Sequence, residues 1–316
     1  MRRSKSPGQD RRSLLAGLGG IGLLTLTGCS AEPGKAATDD SADRALAGAL
    51  AALEKTSGGK LGFAVIDCLD GTLIGHRASE RFTMCSTFKL SLAAAILARM
   101  DAGEIAADAA LPITRKDPVG HSPVVIAALD KGETRMTILA LAEAAQTQSD
   151  NGAANILLRH IGGPAALTAF WRALGDDVSR LDRYEPELNT SHDGDPRDTT
   201  TPAAMANTLR AMLFRPALLA SSRNMLIGWM VATQTGLKRL RGGLPADWRA
   251  GDKTGTMNGA TYADKTNDLA IVWRQGRDAP FILTGFFEGK ADGAEAVLAQ
   301  AARIATPWMT GRPTSD

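Results

Sequence analysis

Ser86-Thr87-Phe88-Lys89 sets a hydroxyl and an amine three residues apart at the head of an apolar run. On a helix, residues three apart share a face. A helix N-terminus adds partial positive charge and unpaired backbone N–H groups near the serine oxygen. That combination suits covalent catalysis, in which the serine oxygen attacks a carbonyl and the lysine takes or eases its proton. The tetrapeptide alone is a common pattern. Ser57-Gly58-Gly59-Lys60 has it too, but that stretch is Gly-rich, ends a helix and has no apolar helix after it.

Three further clusters carry chemistry. Ser149-Asp150-Asn151 stands between two helix-like runs, where all three residue types serve equally as helix caps. Lys253-Thr254-Gly255 lies on a β-like run, where Gly255 would let a ligand approach the backbone; a solvated strand end is the plain alternative. Glu185-Pro186-Glu187-Leu188-Asn189 falls in a long non-repetitive stretch, about Arg180 to Thr201. Loops of that length in a compact domain are functional or disordered. A buried glutamate beside an asparagine could hold and deprotonate one water. Arg183 and Asp198 flank the stretch and could pin its neck.

The four histidines (His76, His121, His160 and His192) are scattered, without paired-ligand spacing. A zinc hydrolase is therefore not expected, and neither is any other metal or cofactor. No G-x-S-x-G elbow or Walker loop occurs. His121 lies in a loop and is a candidate ligand contact; the other three read as solvated.

The positioning elements follow from periodicity and punctuation. Ser41 is read as the cap of a helix with Leu46, Leu50 and Leu53 on one face, ended by Gly58-Gly59. Strands over Leu61–Asp67 and Thr72–His76 join through Leu69-Asp70-Gly71, a hairpin signal. Helices are predicted over Thr87–Ala102, Met136–Gln146, Ala153–His160, Ala165–Leu174, Pro202–Leu213 and Arg223–Val231. Strands return over Arg249–Thr254, Asp268–Trp273 and Phe281–Phe287, and a helix over Ala294–Ala305 closes the chain. Strands at both ends imply one antiparallel sheet with a helical block inserted, an α/β plus all-α architecture with its site in the crevice between.

The chain begins like an exported protein. Basic residues precede the apolar run Leu14 to Leu26, which is too short and Gly-rich for a transmembrane helix. Arg11-Arg12 resembles a twin-arginine signal, and Leu26-Thr27-Gly28-Cys29 resembles a lipobox, implying lipid attachment at Cys29. An ordinary signal with an incidental cysteine is the other reading. Residues 1–28 are thus read as export signal and 29–40 as flexible tether. Residues 1–28 hold five basic residues and one acid, which leaves 31 basic against 33 acidic residues and a net charge of −2. A near-neutral remainder offers no electrostatic case for nucleic acid. Cys68 and Cys85 are read as buried free thiols.

Each motif alone is common; the order S-x-x-K, S-D-N, E-P-E-L-N, K-T-G is not. On these residues the sequence resembles the class A serine β-lactamases, over about Ser41 to Met309. His121-Ser122-Pro123-Val124, Arg197-Asp198-Thr199-Thr200, Leu244-Pro245-Ala246-Asp247-Trp248 and Thr266-Asn267-Asp268 agree with it. The resemblance implies a five-stranded antiparallel sheet flanked by helices, in the penicillin-binding transpeptidase-like fold. Residues 41–78 and 232–312 would form the α/β subdomain and 79–231 the all-α subdomain.

By the same resemblance Ser86 is the nucleophile, and the N–H groups of Ser86 and Thr256 form the oxyanion hole. Lys89, or Glu185 through a water, takes the serine proton. Ser149 relays a proton to the lactam nitrogen under the field of Lys253. Asn151 binds the drug's side-chain amide, and Lys253, Thr254 and Thr256 meet its carboxylate. Glu185 and Asn189 hold the deacylating water. The carboxylate-binding arginine expected on the strand after K-T-G is missing; Arg239 is the candidate replacement, with Arg241 as the alternative. Met257 occupies the partner position of a disulfide some relatives make from the residue matching Cys85, so that bridge is not expected. The segment Thr256 to Lys265 reads as a lengthened loop. The implied partner is a small β-lactam, acting on a monomer exported to the periplasm. A penicillin-binding D,D-peptidase and a non-enzymatic β-lactam-binding lipoprotein are the alternatives.

Overall fold

A computed structural model describes residues 40–190, 192–259, 263–290 and 292–314. The stretches read as export signal (1–28) and tether (29–40), with Cys29, lie outside the described residues, save Asp40, which begins a helix and not a tether.

Helix α1 (Asp40–Ser57) buries Leu46 and Leu50. It begins at Asp40, with Ser41 in its first turn. Gly58, at φ +69°, ends it in the left-handed region that glycine tolerates. Strands β1 (Lys60–Asp67) and β2 (Leu73–His76) form the predicted hairpin, with Val65 opposite Ile74. After the short β3 (Phe82–Thr83) comes α2 (Phe88–Asp101), in which every residue from Phe88 to Leu97 is buried. A helix apolar on all sides belongs at the centre of a packed body, and α2 is the hub of the helical block.

Around α2 follow β4 (Ala110–Pro112), α3 (Pro123–Asp130), β5 (Arg135–Thr137), α4 (Ile138–Thr147), α5 (Asn151–Ile161) and α6 (Pro164–Ala173). Next come β6 (Thr199–Thr200), α7 (Pro202–Phe214) and α8 (Ala220–Ala232). The chain ends with β7 (Arg249–Met257), β8 (Asp264–Trp273), β9 (Phe281–Gly289) and α9 (Ala294–Gly311).

Strands from both ends build one antiparallel sheet in the order β2-β1-β9-β8-β7. Both of its faces are apolar. Phe63, Val65, Leu283 and Phe287 point toward α1 and α9, whereas Ala64, Ile66, Ile282 and Phe286 point into the core shared with the helical block. Alternate residues on two covered faces explain why these strands read as continuous apolar runs. One of its two edges is β7, which carries Lys253-Thr254-Gly255.

Several local expectations are corrected. Met136 belongs to β5, not to a helix; α4 begins at Ile138 because Thr137 caps it, its Oγ1 accepting from Ala140 N at 3.1 Å. Helix α3, only eight residues long, was not expected. The pairs β3–β6 and β4–β5 are two and three residues long, too short for a period-2 pattern to register. The segment Thr256 to Lys265 is not all loop: Thr256 and Met257 extend β7, and Asp264 and Lys265 begin β8.

Candidate active site

Ser86 sits in a single 3-10 turn, Cys85–Thr87, just before α2. Cys85 has φ +49°, a left-handed conformation that a side-chain-bearing residue keeps only when its surroundings impose it. Those surroundings are dense. Met84 O accepts from Thr87 Oγ1 at 2.8 Å and from Asn267 Nδ2 at 3.1 Å. Met84 N donates to Asp198 O at 3.0 Å. A Cβ on Gly255 would lie 2.7 Å from Met84 O and 3.1 Å from Cys85 Cβ. Gly255 is therefore required by the protein's own serine-bearing turn, not by a ligand approaching the strand, as first read.

In the first turn of α2, Lys89 Nζ donates to Ser86 Oγ at 2.9 Å, to Ser149 O at 2.9 Å and to Asn151 Oδ1. It also stands 3.0 Å from Glu185 Oε1, and neither side chain of that ion pair reaches solvent. Burial lowers the Lys89 ammonium below its usual range, against the opposing pull of Glu185. Ser86 Oγ is itself 3.2 Å from Glu185 Oε1. The hydroxyl thus touches an amine and a carboxylate together.

The Glu185 loop is fastened at both ends. Asp198 Oδ2 takes the Arg183 Nε hydrogen at 2.6 Å, and Asp198 Oδ1 takes the Asp182 and Arg183 backbone hydrogens at 2.7 and 3.0 Å. This is the expected neck. Asn155 of α5 brackets the Glu185 backbone, donating to its carbonyl at 2.9 Å and accepting from its N–H at 3.0 Å. Glu187–Thr190 form a short 3-10 turn that aims Asn189 back, and Asn189 Nδ2 donates to Glu185 Oε2 at 2.7 Å. One carboxylate oxygen therefore faces Ser86 and Lys89, and the other faces Asn189.

In Ser149-Asp150-Asn151 the capping falls to Asp150. Buried Asp150 caps α5 by accepting from Ala153 N at 2.8 Å, and its other oxygen accepts from Val124 N and Val125 N at the start of α3. With Asp150 so fixed, Ser149 and Asn151 face the cleft. Lys253 Nζ donates to Ser149 Oγ at 3.1 Å and to Thr254 O at 2.7 Å. Its own burial and the nearby positive charge of Lys89 push the Lys253 ammonium well below its usual range.

The cleft is lined by Ser86, His121, Ser149, Asn151, Glu185 and Asn189 on one side. Thr235, Arg239, Thr254 and Thr256 line the other, so every expected site residue except Lys89 and Lys253 is among the lining residues. Those two hold lining side chains from behind. Arg239 is 7% exposed and well supported: Nη2 donates to Thr256 Oγ1 at 2.7 Å, and Nη1 to Gly255 O at 3.0 Å and Asn267 O at 2.8 Å. Arg241 turns away, donating to Thr233 O at 2.8 Å and pairing with Asp252 Oδ2 at 3.4 Å. Of the two arginines considered, Arg239 is the one at the cleft. His121 is exposed at its rim, its ring 3.0 Å from Gln148 O.

Sequence reasoning missed Thr235, whose hydroxyl lies 2.7 Å from that of Thr254. It also missed Asn155, Asn267 and Glu295, the last accepting from Arg239 Nε at 3.2 Å. Asn155, Thr235 and Glu295 sit in no motif, and Asn267, within Thr266-Asn267-Asp268, was given no role; each is recruited by a distant segment, through the packing of α5 on the loop, the segment after α8, the start of α9 or the pairing of β7 with β8. Cys68 and Cys85 are both free thiols; Cys85 is buried as expected, Cys68 only partly so, and desolvation still raises the Cys68 thiol to about 12. Among the described residues no cluster of His, Cys, Asp or Glu could hold a metal ion, and no helix is long and apolar enough to cross a membrane.

Comparison with known proteins is consistent along the whole body. The family model described as "Beta-lactamase enzyme family" matches residues 45–309. The chain is 45% identical over 260 residues to beta-lactamase CTX-M-8 of Citrobacter amalonaticus, covering 81% of this chain and 87% of that protein. It is 44% identical over 277 residues to beta-lactamase L2 of Stenotrophomonas maltophilia, covering 86% and 89%. Among solved structures, an ancestral (GNCA) class A beta-lactamase aligns with a TM-score of 0.77 at 53% identity, covering 82% of this chain and 98% of that one. A beta-lactamase from Xanthomonas campestris pv. campestris aligns with a TM-score of 0.79 at 42% identity, covering 85% and 98%.

Proposed function

The chain belongs to the class A serine β-lactamases, hydrolases of β-lactam antibiotics, and from that membership we propose that it works through an acyl-serine intermediate. The observation that carries the reading is the Ser86 hydroxyl between Lys89 Nζ at 2.9 Å and Glu185 Oε1 at 3.2 Å.

Ser86 Oγ bonds to the lactam carbonyl carbon while its proton passes to the Lys89–Glu185 pair. The carbonyl oxygen takes up negative charge against the N–H groups of Ser86 and Thr256; one such donor contributes about 10²–10³ in rate. The carbon–nitrogen bond then breaks, and Ser149 protonates the departing nitrogen. Contact with the Lys253 ammonium at 3.1 Å makes that hydroxyl a better donor. Arg239, Thr254 and Thr256 receive the drug's carboxylate, and Asn151 its side-chain amide.

In the second half, a water between Glu185 and Asn189 gives its proton to Glu185 and attacks the ester, and Ser86 leaves with a proton restored. Asn189, fixed 2.7 Å from Glu185 Oε2, supports that assignment. The same pairing separates this reading from a penicillin-binding D,D-peptidase, which lacks a deacylating carboxylate.

The test is Glu185→Ala with benzylpenicillin and intact mass spectrometry. A persistent covalent adduct on Ser86 is expected. Undiminished steady-state turnover would remove Glu185 from the mechanism. We further propose a monomer, exported to the periplasm and tethered through lipid on Cys29. Cys29→Ser is then expected to shift the protein from the membrane fraction to the soluble periplasm, and an unchanged distribution would end the tether.

A further inference from the structure

We propose that Asn267, in the middle of β8, is a positioning residue that seats the nucleophile's turn on the sheet and thereby aligns the carbonyl-binding N–H groups. The inference rests on Ser86 being the nucleophile. Asn267 is 1% exposed and faces Gly255 across the β7–β8 ladder. Its Nδ2 donates to Thr83 O at 2.8 Å and Met84 O at 3.1 Å, one amide hydrogen for each of two successive carbonyls. Those carbonyls immediately precede Cys85, the residue held at φ +49°, and Ser86 follows. On the other side of the same residue, the Asn267 carbonyl takes the Arg239 hydrogen at 2.8 Å. Asn267 therefore ties the serine turn, the β7 edge that carries Thr256, and the arginine at the cleft into one unit.

Two features argue that this bond serves alignment more than stability. Asn267 Oδ1 is buried without a hydrogen-bond partner. Burying an amide oxygen unpaired costs stability, so an asparagine there calls for a reason. The two-carbonyl clamp supplies one, since only an NH2 group offers two hydrogens from one small side chain. The second feature is Gly255, whose missing Cβ lets Met84 O lie against β7 next to Thr256: a Cβ there would stand 2.7 Å from that oxygen.

Asn267→Leu keeps the shape of the side chain and removes both donors. Its test uses the Glu185→Ala background, in which the acyl-enzyme accumulates, with infrared detection of the ester carbonyl. The stretch is expected at higher frequency in Asn267→Leu, because misaligned donors polarise the carbonyl less. In otherwise unaltered protein, acylation by benzylpenicillin is expected to slow by about tenfold to a hundredfold, as a shift on the order of 1 Å costs up to about 10². The melting temperature reports folding alongside. Should Asn267→Leu not fold, Asn267→Ser, which can serve only one carbonyl, is measured the same way with a smaller shift expected. An unchanged stretch and acylation rate in a folded variant would overturn the proposal. Absence of any adduct in the Glu185→Ala background would instead remove the nucleophile assignment on which it rests.

Discussion

The Lys89 ammonium and the Glu185 carboxylate lie 3.0 Å apart with neither side chain exposed. Removing one member of a buried ion pair strands the other, at about 3–5 kcal/mol, whereas removing both can be neutral or stabilising. Lys89→Met is therefore expected to lower the melting temperature sharply. Glu185→Gln should cost less, since Lys89 keeps Ser86, Ser149 and Asn151 as acceptors. The double variant is expected to recover most of the loss of Lys89→Met while hydrolysing no drug. Calorimetry on the four proteins checks this; additive losses would mean that the two charges do not act on each other.

Lys253 gives a pH prediction. Burial and the Lys89 charge lower its ammonium well below 10.5. If the cation is what assists Ser149 and attracts the drug carboxylate, kcat/KM must fall as pH rises through that lowered value. An arginine keeps its proton far above this range. Lys253→Arg is expected to carry the alkaline limb of the pH profile upward, even if the maximum drops. An alkaline limb left in place would assign it to another group, with Lys89 the first candidate.

The sequence made the chemistry legible more readily than the scaffold holding it. Ser86 and Lys89 were visible because a helix fixes their mutual position locally, and Asp150 because capping is a local act. The hairpin at Asp70-Gly71 and the apolar strands were legible for the same reason. Asn155, Thr235 and Asn267 were not, because their roles exist only after segments far apart in the chain meet; Asn267 reaches the carbonyl of Thr83, 184 positions away. Gly255 was seen as a close approach, but what approaches it lies about 170 residues back along the chain, and no local pattern reports that. Arg239 was the candidate and Arg241 the alternative; the 3-10 turn at Leu240–Gly243 follows Arg239, which lines the cleft, while Arg241 within it bonds to Thr233 and Asp252.

Those two arginines give opposite expectations. Arg239→Ala removes a charged donor from the cleft, an interaction of about 1.5–3 kcal/mol. The KM for carboxylate-bearing penicillins should rise about tenfold to a hundredfold. Arg241→Ala should leave KM alone and act on stability. Arg241 partly counters the burial that raises the Asp252 carboxyl from 3.8 to about 6. A raised carboxyl contributes stability below its unfolded value of 3.8, and that contribution is lost as pH climbs through the folded value. Without Arg241 the folded value rises further and more is lost. The melting temperature of Arg241→Ala should thus match the parent near pH 4 and fall behind it at pH 7.5. A rise in KM for Arg241→Ala alone would reverse the assignment.

Asp150 offers a test of how far the site depends on helix ends. Its two oxygens accept from Ala153 N at the start of α5 and from Val124 N and Val125 N at the start of α3. Losing one cap costs about 0.5–2 kcal/mol. Asp150→Ala uncaps two helices in a buried place, so the loss should exceed that of a single cap. Asp150→Asn keeps one acceptor oxygen and turns an NH2 toward the other helix, so it can satisfy only one end. The neighbours decide the kinetic outcome: Ser149 sits at φ +55° just before the cap, and Asn151 is the first residue of α5. Loosening Asp150 frees Ser149 to leave that strained conformation and its 3.1 Å contact with Lys253. Proton delivery to the lactam nitrogen should suffer before ester hydrolysis does. Stopped-flow measurement of Asp150→Asn is expected to show slowed acylation with deacylation nearly intact; equal losses in both steps would mean that Asp150 acts on the site only through global stability.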